Sequence, residues 1–104
     1  MLAALKLALR LTTTVYDSEL LGMIASAIAD LQHCGPKFIV TPVKDLQNNV
    51  IDYTVTDPLV QMAIITYCRM HFGSPADYDR LKASYDEQKG QMRESSAYGM
   101  EVLG

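Results

Sequence analysis

The sequence predicts a mainly α-helical protein: a small bundle of about four helices, with a β-hairpin or extended loop between the second and third. Three observations predict it. Apolar residues recur at three- and four-residue steps within 2–10, 18–34, 58–72 and 75–94. Start and stop signals bracket those stretches: Asp17, Asp57-Pro58 and Ser74-Pro75 at the beginnings, Gly35-Pro36 and Gly73 at the ends. Segment 37–56 changes character and is rich in β-branched and aromatic residues.

The first helix runs from Leu2 to about Arg10, with Leu2, Leu5 and Leu9 on one side. The leucines at 5, 7, 9 and 11 also alternate, so a strand stays open as a reading. The threonines at 12, 13 and 14 disfavour helix and end it. Asp17 caps a second helix, in which Leu20, Leu21, Ile24, Ile28 and Leu31 form the apolar face. The segments Phe38–Val40 and Val50–Val55 read as strand, separated by the loop composition of Lys44–Asn49.

Asp57 and Pro58 open a third helix that ends near Phe72. Its apolar residues occupy nearly the whole circumference, because Gln61, Thr66, Arg69 and His71 make no continuous polar face. Two amphipathic neighbours hardly cover such a helix, so a partner subunit is expected over the remainder. The fourth helix opens on a capping box of Ser74, Pro75 and Asp77. It carries an apolar row of Tyr78, Leu81, Tyr85 and Met92, interrupted by Gln88. Beside it runs a charged row of Asp79, Lys82, Asp86, Lys89 and Arg93. Gly90 marks an expected bend or the onset of fraying. The chain divides into a helical body, 1–94, and an apolar tail, 95–104.

Composition bounds the function. The chain has 104 residues, 49% hydrophobic and 20% charged, the balance of a folded soluble domain. Its net charge of −3 argues against a non-specific nucleic-acid binder, which needs a basic face. Two cysteines make no disulfide framework and read as reduced thiols. The opening MLAALKLALRL resembles a signal peptide, but Lys6 and Arg10 interrupt it and no small-residue cleavage site follows. No apolar run is long enough to span a bilayer.

No catalytic residue, metal site or cofactor site is expected. His33, Cys34, Cys68 and His71 are the soft ligands, with Cys68 and His71 three apart on one helix face. However, His33 and Cys34 are adjacent, which rarely aims two side chains at one ion. Asp77, Asp79, Asp86 and Glu87 lie among lysines, as on a solvated helix face. Asp52, near Asp57, shows no partner pattern. There is no glycine-rich phosphate loop. An assembly role is the default for helices whose apolar surface exceeds what one subunit buries.

Three segments, in this order, carry a family resemblance: LKLALRLTTTVYDSELLGMIASAIADL, DPLVQMAIITYCRMHFG and SPADYDRLKASYDEQKGQMRESSAYG. They resemble the small head–tail connector (DNA-packaging, head-completion adaptor) proteins of long-tailed bacteriophages. The resemblance implies a non-enzymatic structural protein of the virion neck that forms a ring of about a dozen copies. Such a ring docks on the portal protein and extends the DNA channel. DNA passes through without sequence-specific binding. The ring also offers a surface to the next neck or tail-completion protein. It also implies the host cytoplasm during assembly, the virion thereafter, and no membrane. Since the carboxy-terminal helix and tail of such subunits commonly contact the portal, the interface candidates are Met92, Tyr98, Met100, Val102 and Leu103, with Tyr78, Leu81 and Tyr85 as further candidates shared with the core. The alternatives are a small metal-binding helical enzyme or regulator using His33, Cys34, Cys68 and His71, and a helical adaptor of a host protein.

Overall fold

The computed structural model describes residues 1–33, 38–73 and 76–94. Its elements are α1 (Leu2–Leu9), α2 (Asp17–His33), β1 (Val40–Lys44), β2 (Val50–Val55), α3 (Pro58–His71) and α4 (Tyr78–Glu94). The mainly helical class, and the hairpin between the second and third helices, are as the sequence predicts.

Helix α1 buries Leu5 completely and leans Leu2 and Leu9 on the core, while Leu7 points to solvent. That helical spacing excludes the strand reading. The helix stops before the threonines. Arg10 turns into the left-handed region at φ 60°, and the Leu11 amide donates to the Lys6 carbonyl at 2.9 Å. The Arg10 amide donates to Leu7, which completes a Schellman stop, and Leu11 packs on the core beside it. Asp17 also differs from its expected role. It is the first residue of α2, and its carboxylate forms an ion pair with Lys6 Nζ at 2.9 Å, tying α2 to α1.

The hairpin is built around one carboxylate. Asp45 accepts hydrogen bonds from the Gln47 and Asn49 amides, each at 2.9 Å, and Asn48 takes the left-handed conformation the turn requires. The antiparallel ladder pairs Val40 with Val55, Pro42 with Tyr53, and Val43 with Asp52. Lys44 then pairs with Val50, so Ile51 is the extra residue of a bulge.

Asp52, without a partner in the sequence reading, has one here. Its Oδ1 accepts from the Leu2 amide at 2.9 Å and from the Tyr53 amide at 2.7 Å. The Met1 nitrogen donates to the Tyr53 carbonyl at 3.1 Å. Strand β2 therefore caps the start of α1, a contact 50 residues apart in sequence. The Tyr53 amide and carbonyl are thus engaged toward α1, away from β1. Opposite them, the Pro42 nitrogen faces the open edge of the hairpin, where its missing N–H costs the ladder nothing.

Helix α3 begins as expected. Asp57 accepts from the Leu59 amide at 2.8 Å and the Val60 amide at 3.3 Å, with Pro58 in the first turn. Val60, Ala63, Ile64, Cys68 and Met70 are buried. Thr66 is buried too, and its hydroxyl donates to the Met62 carbonyl one turn back. The cover that the sequence reading assigned to a partner subunit comes mostly from the same chain. Helices α1, α2 and α4 and strand β2 all pack on α3. Gln61 Nε2 donates to the Val55 carbonyl and fixes the hairpin's base against it. Tyr16 meets Phe72 edge to face at 5.3 Å, closing the far end.

Helix α4 starts at Tyr78, later than the sequence predicts. Asp77 lies in the preceding turn; its carbonyl accepts from the Leu81 amide, and its carboxylate pairs with Arg80. The Ser74-Pro75 part of the capping box lies outside the described residues. Gly90 does not end the helix, which continues to Glu94 with Met92 fully buried. The resulting subunit is flat, 46 × 39 × 19 Å.

Two predictions follow from these caps. Asp57→Ala should lower stability by about 1 kcal/mol, read as a shift in urea midpoint at unchanged slope. The Asp52 carboxyl titrates below its ordinary value: burial opposes ionisation, but the Leu2 and Tyr53 amides and the Met1 amino charge outweigh it. A depressed native value means its contribution is complete above the unfolded carboxylate range and fades as pH falls through the native value. Asp52→Ala should therefore destabilise at neutral pH. Chemical denaturation at descending pH should show the gap to wild type closing in acid.

Candidate interaction surfaces

Among the described residues, the soft ligands of the sequence form no metal-holding group. Cys68 is wholly buried, and burial pushes its thiol up to about 12, so it is a neutral core side chain. His71, three residues on, is exposed and lies against the Tyr67 ring at 4.4 Å. His33 is exposed at the end of α2, and Cys34 lies outside the described residues. The shared face expected for Cys68 and His71 is thus divided between core and surface. Of the carboxylates in this region, Asp77 in the turn before α4 pairs with Arg80, and Asp86 with Lys82 at 3.1 Å and Lys89 at 3.9 Å.

The interface candidates on α4 also divide. Leu81, Tyr85 and Met92 belong to the core, at 5%, 3% and 0% exposure. The expectation that Met92 has no partner inside the subunit is corrected: α4 folds back along α3, and its apolar row supplies one wall of the bundle. Tyr78, at 39% exposure, is the member of that row left on the surface. Tyr98, Met100, Val102 and Leu103 lie outside the described residues.

Tyr85 does more than fill space. Its hydroxyl donates to Asp30 Oδ2 of α2 at 2.6 Å, and its ring meets Tyr67 of α3 edge to face at 5.5 Å. Lys89 Nζ lies 4.6 Å from the centre of the same ring and 3.5 Å from Asp30 Oδ2. Burial and the Asp30 charge raise the Tyr67 phenol above its ordinary value, so it stays protonated. One polar cluster thereby locks α2, α3 and α4 together. The charged row on α4 placed Lys89 correctly, but nothing in the sequence signals Asp30, which is 59 residues away.

Among the exposed apolar residues, which also include Leu7, Val15 and Ile39, some lie on two surfaces. The first is the outer half of the hairpin, where Val43, Val50 and Ile51 are exposed and Leu46 at the tip is 100% exposed. The turn that carries Leu46 is held by Asp45, so the leucine is presented rather than merely loose. Leu59 and Met62 of α3 are exposed as well. Met62 opens the second surface, a groove of about 290 Å³ between α3 and α4. Ile65 and Leu81 form its floor, and Arg69, Arg80, Ser84 and Gln88 its polar lining. No helix among the described residues is long and apolar enough to cross a membrane.

Comparison with known proteins identifies one family. The sequence model of one family, described as phage connector protein, matches residues 1–99. No curated protein and no solved structure matches the chain.

Core and surface members of the α4 row are separable by mutation. Met92→Ala should cost about 2–5 kcal/mol in chemical denaturation. Tyr78→Ala should stay within about 0.5 kcal/mol of wild type. Equal effects at the two positions would contradict this division.

Proposed function

The chain belongs to the phage connector protein family, a structural, non-enzymatic kind of protein, and on that premise we propose that it is the ring-forming subunit of the virion neck. Several copies close a ring against the portal, prolong the DNA channel and present a surface to the next neck or tail-completion protein. The observation that carries this reading is the family match over residues 1–99, which takes in every described element.

The fold supports it in two ways. A subunit with its own core needs no partner in order to fold, so it persists in the host cytoplasm until a portal is ready. Among the described residues, exposed apolar side chains occur at the hairpin tip and at the α3–α4 groove. Rings need heterologous contacts, in which two different patches meet, and this subunit has two different patches. A net charge of −3 suits a channel through which DNA slides without binding.

Portal docking is assigned to Tyr78 and to the tail residues Tyr98, Met100, Val102 and Leu103. Met92, Leu81 and Tyr85 act indirectly, by holding α4 in place. Purified protein mixed with its portal should co-sediment and add a ring visible by negative stain. Tyr98→Asp should weaken that association several-fold while leaving the thermal midpoint unchanged. A well-folded protein that ignores its portal would contradict the proposal.

A further inference from the structure

We infer that the hairpin tip of one copy seats in the α3–α4 groove of the next, and that this head-to-tail contact is what joins neighbouring subunits. The inference rests on the connector reading and adds the interface.

The tip is a knob. Leu46 stands fully exposed at its end, and Val43, Val50 and Ile51 widen the apolar surface behind it. The Asp45 turn and the bulge at Ile51 fix its shape. Strand addition is the other way for a hairpin to recruit a neighbour. Here the open edge of β1 carries Pro42, which has no N–H to donate. Contact must therefore run through side chains at the tip.

The groove is the matching hole. Met62 is exposed and Ile65 half-buried on α3, and both line the groove beside Leu81 and Ser84 of α4. Its polar lining complements the tip. Arg69 is exposed and has no carboxylate partner among the described residues, while the tip brings the Asp45 charge. An apolar knob flanked by an acid thus meets an apolar hole flanked by an arginine. Knob and hole lie on different parts of one subunit, so each copy uses both and the contact propagates.

The test uses three forms of the full chain in sedimentation velocity at increasing concentration: wild type, Leu46→Asp and Met62→Asp. Both positions are exposed, and circular dichroism and thermal midpoints should match wild type. Wild type should associate beyond the dimer, and each variant alone should stay monomeric. An equimolar mixture of the two variants should form a dimer and nothing larger. The Met62→Asp chain keeps an intact knob and the Leu46→Asp chain an intact hole, which leaves one good contact per pair. Wild type that stays monomeric at its highest soluble concentration overturns the contact, as does either variant assembling like wild type. Portal co-sedimentation of the same wild-type sample separates the two claims: a monomer that still joins the portal leaves the connector role standing without this interface.

Discussion

Helix α3 is apolar around most of its circumference, and the rest of the chain is arranged to wrap it. An uncovered helix of this kind exposes several large side chains at once, at a cost of about 25 cal/mol per Å². The chain meets that requirement with four separate elements. Helix α2 covers one flank and α4 a second. Strand β2 covers the beginning, and α1 packs on the helix with its first turn held by Asp52. Each cover has its own polar clamp: Lys6–Asp17 for α1 on α2, Gln61 with the Val55 carbonyl for the hairpin, and Tyr85–Asp30–Lys89 across α2 and α4. These clamps fix position more than they supply stability, since ion pairs at such exposure contribute little.

The wrapping is nearly complete, and where it fails lies the surface proposed for contact. Beside Met62 and Ile65 of α3, a groove opens between this helix and α4. The hairpin, needed at its base to cover α3, extends past the body with an apolar tip. A two-stranded hairpin alone is marginally stable, so its anchorage at Tyr53, Val55 and Gln61 is what makes the tip presentable. In the proposed assembly, burying α3 in cis and contact in trans use different stretches of the same elements.

Much of this was legible in the sequence because the signals were local. Asp57-Pro58, the four periodic stretches and the change of composition at 37–56 each act within a few residues, and each gave the element observed. The failures share one cause, which is contact at long range. Asp52 was unreadable because its partner is the start of α1, and Asp30 because its partners are on α4. Met92 was assigned outward since the sequence does not show α4 running back along α3 past Gly90. Tyr78 and Tyr85 belong to one row, yet only the fold separates an exposed ring from a buried one. Arg10 ended α1 before the threonines because a left-handed stop is a matter of backbone conformation that arginine does not advertise.

The central claim is that one chain covers α3 by itself. Native-state hydrogen exchange on the isolated subunit tests it most directly. The account predicts that the amides of Gln61–Met70 are the slowest to exchange and open only with global unfolding, while those of the hairpin turn exchange early. Fast exchange throughout α3 in the isolated subunit, slowed only when a partner is added, would contradict it.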